Sequence, residues 1–256
     1  MRPRAVLAVA LLLAVAAGLV CWWRTRTVAS AAAEPRPPSE RTAPETIAPS
    51  ARRPTPTCRN PYIPAVQGAT RTYELVAGTT SLTLVITLRA VTQSQSDVLL
   101  EWNIDARAAA GALPSATVTT RCTPTGDAEA PWVGVAEAIS GVRWTGDRFA
   151  IPDGVSVGDE WDSRAEWRSS RRTLREVRRA RATLRETCET PSGPRECLRY
   201  ELDLTLSDES SSPERAPPTH AHGSEWIAEG LGLVRSTIDD GSGFGPQLRL
   251  IATSDP

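Results

Sequence analysis

The segment LRYELDLTL at residues 198–206 decides the fold class, because large apolar side chains alternate strictly with polar ones. This period of two is typical of a β-strand with one buried face and one solvated face. Strands buried on both faces in a parallel sheet are nearly continuous apolar runs, so the alternation favours an antiparallel sheet. The apolar positions are Leu198, Tyr200, Leu202, Leu204 and Leu206.

The same alternation recurs along the chain and extends the prediction to a whole domain. Residues 82–90 and 98–104 alternate in this way and are joined by a short polar link, so we expect them to form a hairpin. Roughly nine or ten short strands with few helical patterns indicate a mainly β protein. We expect a single antiparallel, strongly curved sheet, or a barrel-like or sandwich-like domain. Further strands are predicted at residues 70–76, 117–122, 159–167, 225–238 with a break at Gly230 and Gly232, and 247–252.

Residues 173–185 fit two descriptions. Their apolar residues recur at nearly helical spacing, and arginine and leucine are good helix formers, which would make an amphipathic helix. We prefer a strand, because the turn at residues 191–194 would fold it back onto the strand at 198–206.

The N-terminal residues predict export. Arg2 and Arg4 precede an apolar run over residues 5–23, which is the order of an export signal. The run approaches the roughly 20 residues that span a bilayer. Arginines follow it directly, so we favour an uncleaved anchor over a signal peptide cleaved at the small residues 29–33. The membrane is then a partner through residues 5–23, and the chain lies on the periplasmic side of the cell membrane or is secreted after cleavage.

Composition divides the rest of the chain. Residues 24–57 are rich in proline and poor in large apolar side chains, which predicts a disordered linker. We therefore expect a signal peptide or anchor at 1–23, a linker at 24–57 and one antiparallel β domain at 58–256. The 256 residues carry 29 basic and 30 acidic side chains, and every basic one is arginine. This balance, together with export, excludes a general nucleic-acid binder.

Four cysteines lie in the predicted domain. An even number in an exported domain favours disulfides over metal ligation. A hairpin centred on residues 192–193 would place Cys188 opposite Cys197, within bridging reach, which leaves Cys58 to pair with Cys122. The apolar faces of the two strands align only if one strand carries a one-residue bulge.

Arginines outnumber acids over residues 164–185. They predict an anion-binding face, although 21 arginines and 27 acids over residues 58–256 favour a solvated face balanced by neighbouring strands. The candidate anion-binding residues are Arg171, Arg172, Arg175, Arg178, Arg179 and Arg181.

Patterns for catalysis or metal binding are weak. His220 and His222 could share one side of an extended segment, but they lie in a region rich in proline and serine, with no third ligand implied. A surface-loop pair is the simpler interpretation, and we expect no metal, no cofactor and no catalytic residue. The many acids keep open a hydrolase that uses two carboxylates in a cleft.

Three motifs resemble those of exported bacterial β-rich proteins and lipoproteins of unknown function. The opening motif is CRNPY at residues 58–62, and the middle motif is VGDEW at 157–161. The closing motif is WIAEGLGLVR at 226–235. The resemblance implies a single envelope β domain and transfers no catalytic residue.

Five tryptophans could line an apolar cavity or fill the core, and core packing is their more common role. We expect a non-enzymatic cell-envelope domain that binds an apolar, lipid-like ligand or an envelope protein partner. A carboxylate hydrolase and a polyanion-binding module using the arginines of residues 164–185 are the alternatives. The tryptophans are Trp102, Trp132, Trp144, Trp161 and Trp167.

Overall fold

The computed structural model describes most of the predicted β domain. Residues Pro56–Pro256 form one compact unit. The predicted leader at 1–23 and nearly all of the predicted linker lie outside the described residues. Residues 144, 167 and 168 are described by their backbone alone. The described residues are 57–109, 111–113, 115–133, 135, 144–146, 148–168, 173–209, 217–239, 241 and 245–256.

The described residues of the domain form one antiparallel sheet of 14 strands. The strands follow the order β7, β9, β10, β11, β12, β13, β14, β1, β2, β3, β5, β6 and β8, with β4 attached to β3. Their bounds are β1 Thr70–Ala77, β2 Thr80–Ser94, β3 Asp97–Ala108, β4 Gly111–Ala112, β5 Ala116–Cys122, β6 Ala128–Glu129, β7 Trp144–Gly146, β8 Ala150–Ile151, β9 Glu160–Arg168, β10 Thr173–Cys188, β11 Arg195–Asp208, β12 Thr219–Ala228, β13 Gly232–Asp239 and β14 Gln247–Ser254, with a short 3₁₀ helix at Pro131–Val133.

The period-two prediction is confirmed at the deciding segment. In β11, Leu198, Tyr200 and Leu202 are almost fully buried, whereas Glu201 and Asp203 are exposed. The hairpin predicted from residues 82–104 is also present as β2 and β3. The buried side chains of these strands belong to one continuous core, so alternation places the core on one face of the sheet, here called the inner face.

The sheet does not close in the described part of the chain. Its end strands β7 and β8 are not hydrogen-bonded to each other, so the predicted barrel is not found. The rings of Phe149, beside β8, and Trp161, in β9, nevertheless lie 6.0 Å apart at their centroids. Phe149 also lies 5.9 Å from Tyr200 of β11. Side-chain packing rather than a strand ladder therefore joins the two ends of the strand order.

Residues 173–185 form a strand, as preferred over the helix. They lie within β10, which pairs with β9 on one side and β11 on the other. A register shift between Ala182 and Leu184 marks the bulge that the apolar pattern required.

The register of the β10–β11 hairpin differs from the prediction. Cys188 lies opposite Arg195, and Cys197 lies opposite Glu186. The Gly193 backbone N–H donates to the Thr190 carbonyl, so the turn is centred on residues 191–192. The turn forms there because proline presets the backbone angle required at its second position. Moving the centre by one residue moves the register by two.

The opening and closing motifs pack against each other. The Gly230 N–H donates to the Pro61 carbonyl, 2.8 Å away. Gly232 has a φ of +82°, and a Cβ there would lie 3.3 Å from the Tyr62 carbonyl oxygen. The buried Asn60 amide donates to the carbonyls of Gly126 and Ile151. The opening motif therefore ties distant strands together, which explains its proline, asparagine and aromatic residues.

Candidate functional site

An open groove of about 450 Å³ lies on the outer face of the sheet, over β11 to β14. Strand pairing places residues of neighbouring strands side by side, so the lining side chains form rows across the sheet. Ser224 lies opposite Glu201 on one side and Thr237 on the other, and Thr237 lies opposite Gln247. The outer-face groove is defined by its polar lining residues Glu201, His222, Ser224, Thr237, Asp239 and Gln247.

Hydrogen bonds fix the middle of the outer-face groove. The Ser224 hydroxyl donates to Glu201 Oε2 at 2.9 Å. Arg199 Nη2 donates to the Ser224 Oγ at 3.2 Å and also bonds the Glu201 carboxylate. Ser224 is only 8% exposed, so it forms the floor of the groove, while Glu201 stands at its side.

His222 and His220 lie in strand β12, which corrects the surface-loop interpretation. His222 Nδ1 shares a hydrogen bond with Asp203 Oδ1, and His220 Nδ1 lies 3.1 Å from the Thr205 hydroxyl. Prolines precede these histidines and suggested a loop, but β11 pairs with both residues and β13 also pairs with His222. Over the described residues, no group of three or more His, Cys, Asp or Glu side chains is placed to hold a metal ion.

Three arginines border the outer-face groove one step along the strands. Arg199, Arg235 and Arg249 belong to β11, β13 and β14, and we call them the basic row. Trp226 of β12 lies between the first two in the strand register. The guanidinium carbons of Arg199 and Arg235 lie 5.3 and 4.9 Å from the centroid of its ring. Both cations are thus held by the same aromatic ring.

A second polar cluster lies on the inner face of the same strands. The buried Glu225 carboxylate accepts hydrogen bonds from Trp132 Nε1 at 3.1 Å, from Ser236 Oγ at 3.2 Å and from the Tyr200 hydroxyl. We call these four residues the Glu225 network. Burial raises the pKa of Tyr200 well above its usual range, and the neighbouring Glu225 raises it further. Tyr200 therefore stays a neutral hydrogen-bond donor.

Beside this network, Arg178 and Glu176 form an inward-facing ion pair. Each side chain is 15% exposed, and the Arg178 Nε donates to the Glu176 carboxylate. Burial by itself lowers the pKa of Arg178, but the Glu176 charge and hydrogen bond outweigh it, so that the pKa is raised. The guanidinium stays charged, and the pair needs both partners.

The predicted anion-binding arginines do not share one surface. Arg178 faces the core, whereas Arg175, Arg179 and Arg181 are exposed. Arg171 and Arg172 lie outside the described residues. Arg175 pairs with Glu166 at 3.1 Å and Arg181 with Glu160 at 3.5 Å. Alternation along β10 separates the arginines, and carboxylates of the neighbouring strand lie beside two of the exposed ones.

One of the two predicted disulfides is present. Cys58 and Cys122 are bonded, with their Cα atoms 5.6 Å apart. Cys188 and Cys197 are free thiols, although a hydrogen bond joins them. Burial raises the pKa of both, most strongly at Cys197. Because the register places them diagonally rather than opposite, a bond between these two stays a prediction.

Three of the five tryptophans considered from the sequence have described side chains, and these three pack in the core. Trp102 is 1% exposed, and its Nε1 donates to the Thr120 hydroxyl. Trp132 belongs to the Glu225 network, and Trp161 contacts Tyr200 with centroids 5.3 Å apart. The side chains of Trp144 and Trp167 lie outside the described residues. Core packing, the more common role, therefore describes these three tryptophans.

The sequence did not point to the outer-face groove. Its residues are the polar members of alternating strands, and any solvated face would show the same pattern. Only the strand order brings Glu201, Ser224 and Thr237 into one row. The sequence showed the polar residues of the alternating segment at 198–206, but it did not show which strands lie beside that segment.

Comparison with solved structures identifies the fold. The structure is similar to an exported protein with a YmcC-like fold from Bacteroides fragilis, with a TM-score of 0.56 and 19% identity over 76% of this chain and 99% of that one. It is also similar to a lipoprotein from Parabacteroides distasonis, with a TM-score of 0.59 and 15% identity over the same shares. The predicted resemblance to exported β-rich proteins and lipoproteins is thus confirmed at the level of fold.

Comparison of the sequence with known proteins does not assign the chain to a family. No protein-family model matches the chain, and no curated protein matches it. Among the described residues, no helix is long and apolar enough to cross a membrane. The predicted anchor at 5–23 lies outside them.

Proposed function

We propose that this chain is a non-enzymatic domain of the cell envelope that binds a protein partner through the outer-face groove. The observation that carries the proposal is the groove itself, whose polar side chains come from four neighbouring strands. The exported proteins and lipoproteins that share the fold support an envelope location.

Two observations favour a protein partner over an apolar ligand. The side chains of Trp102, Trp132 and Trp161 are engaged in the core, so these three tryptophans do not offer an apolar binding surface. The outer-face groove presents hydroxyl, amide, imidazole and carboxylate groups beside Ile238 and two glycines, and these polar groups suit the hydrogen-bonding groups of a polypeptide.

The interior carboxylates favour binding over hydrolysis. A carboxylate hydrolase needs two acids that face a substrate. Glu225 is surrounded by three donors of its own network, and Glu176 is bonded to Arg178. Both carboxylates are thus committed to structural contacts.

Site-specific crosslinking tests the proposal. A photoreactive amino acid replaces Thr237 in the groove or Arg107, an exposed residue of β3, in the full-length chain within the cell envelope. We expect a discrete crosslinked protein from position 237 and none from position 107. The crosslink should disappear with Gln247→Trp, which fills the groove, and persist with Ile251→Trp, an exposed change on the same strand. Equal crosslinking in all cases would overturn the proposal.

Native mass spectrometry separates the partner from an apolar ligand. The full-length chain is purified from an oxidising compartment and measured before and after organic extraction. We expect the same mass both times. A lipid-sized adduct that extraction removes would instead support the apolar-ligand alternative.

A further inference from the structure

We infer that the outer-face groove binds an extended segment of its partner that carries an acidic and a basic side chain four residues apart. This inference rests on the proposed function and names the chemistry of the segment. It is drawn from the distribution of charge over the outer face of β11 to β14.

The charges are sorted along the strands. The basic row lies at one end, with Arg199, Trp226 and Arg235 side by side in the register. Two residues along each strand lies the middle row of the groove. Two further residues along, Asp203 and Asp239 lie on either side of His222 and form an acidic row. The face is therefore basic at one end and acidic at the other, and the polar middle row holds the Glu201 carboxylate, which is paired with Arg199.

The spacing of the two charged rows sets the spacing of the ligand charges. They are four residues apart along the strands, about 13 Å at roughly 3.3 Å per residue. An extended peptide lying parallel to the strands covers that distance in four residues. Because side chains in an extended chain alternate between two sides, positions four apart face the same way, whereas positions three apart face opposite ways.

The basic row is prepared for a carboxylate. The stacking of Arg199 and Arg235 on Trp226 holds both guanidinium groups in place before the ligand arrives. No ion pair of Arg235 is found among the described residues, whereas Arg249 is paired with Glu74 at 3.0 Å. Arg235 is therefore the guanidinium best placed to receive the acidic side chain of the segment.

The acidic row is prepared for a cation. Asp239 is exposed at the end of β13, and Asp203 is 66% exposed in its side chain. Between the rows, the Thr237 hydroxyl and the Gln247 amide line the groove and can bond the backbone of the bound segment. Charge complementarity at both ends of the groove thus selects the segment. The middle row bonds only the backbone of the segment, so the residues between its two charges can vary.

Labelled peptides test the spacing. The probes are the acetylated, amidated peptides EGSGK, with charges four apart, and EGSK, with charges three apart, titrated against the full-length chain by fluorescence anisotropy at low salt. One exposed ion pair contributes up to about 1 kcal/mol, which is about a fivefold change in affinity. We therefore expect EGSGK to bind about fivefold more tightly than EGSK, with the difference lost at high salt.

Matched variants locate the interaction. Arg235→Glu and the double change Asp203→Asn with Asp239→Asn should each abolish the preference for EGSGK, while Arg107→Glu should leave it unchanged. Equal affinity for the two peptides, or no saturable binding of either, overturns the inference. If the crosslink at position 237 still depends on the groove, the proposed function stands and only the chemistry of the segment is wrong. If that crosslink also fails, both are wrong.

Discussion

The inner and outer faces of β11 to β13 carry polar side chains from adjacent residues, yet the side chains of the two faces differ in burial and in hydrogen bonding. On the inner face, Glu225 is 5% exposed and holds three donors, and no described donor of that network lacks a partner. On the outer face, Glu201 and Asp203 are about half exposed or more. A buried polar group is costly to leave unpaired, whereas an exposed one can exchange its partner for water or for a ligand. We therefore expect the inner cluster to contribute to stability, and the proposed binding uses the outer groove.

The largest difference should appear when one acid is removed from each face. Glu225→Ala leaves the Trp132, Tyr200 and Ser236 donors without an acceptor, at about 1 to 3 kcal/mol for each buried donor. We expect the free energy of unfolding to fall by about 3 to 5 kcal/mol, measured by chemical denaturation. Glu201→Ala, the matched outer change, should lower it by less than about 1 kcal/mol. Similar losses of unfolding free energy in the two variants would show that the inner and outer carboxylates do not differ in their contribution to stability.

Two neighbouring arginines of β10 repeat the comparison within one strand. Arg178→Ala leaves Glu176 unpaired on the inner face and should destabilise the protein by about 3 kcal/mol. Arg179→Ala removes an exposed side chain and should change stability by no more than about 0.5 kcal/mol. Thermal unfolding of both variants checks this, and a tolerated Arg178→Ala would mean that the ion pair does not stabilise the fold.

Alkaline pH should lower the stability of the protein through two buried tyrosines. Burial raises the pKa of Tyr200 and of Tyr73 in the folded protein, whereas an unfolded tyrosine ionises near pH 10. Stability is therefore fully present below about pH 10 and is lost as the pH rises above it. Each tyrosine contributes about 1.4 kcal/mol of loss per pH unit. Tyr73→Phe should reduce the slope of unfolding free energy against pH above 10, and an unchanged slope would contradict the assignment.

The smallest effect is expected at the aromatic stack of the outer face. Arg235→Ala removes one cation from Trp226 and should lower stability by about 0.5 to 1 kcal/mol. Arg249→Ala breaks an exposed ion pair with Glu74 and serves as the comparison, at about 0.2 to 1 kcal/mol. Urea denaturation distinguishes them from the inner variants, and a loss above about 2 kcal/mol at Arg235 would place it in the structural cluster instead.

Local patterns predicted the strands well because each depends on residues close in sequence. The alternation at 198–206 and at 82–104 reports directly which side chains face the core. The strand at 173–185 could be preferred over a helix only because a turn signal followed it. The predicted register of that hairpin was wrong, because the prediction centred the turn on residues 192–193 and did not use the preference of proline for the second turn position, which Pro191 occupies.

The candidate site was less predictable, for a different reason. The arginines of residues 164–185 looked like one surface because they are close in sequence, but alternation sends Arg178 inward and its neighbours outward. The histidines looked like a loop because their strand is recognisable only through its partners. In both regions, pairing between distant strands decides the surroundings of each side chain, and the local sequence does not show that pairing.

From the order of its residues alone, we predict an exported-type leader, a mainly β domain, the strand faces and the Cys58–Cys122 pairing, because each prediction follows from short-range periodicity, composition or counting. The three-dimensional arrangement settles the open path of the sheet, the Glu225 network and the rows of the outer-face groove. Those features join residues far apart in the chain, such as Trp132 and Glu225 or Arg199 and Trp226. Their proximity is set by which strands pair and in what register, and many strand orders satisfy the same alternation.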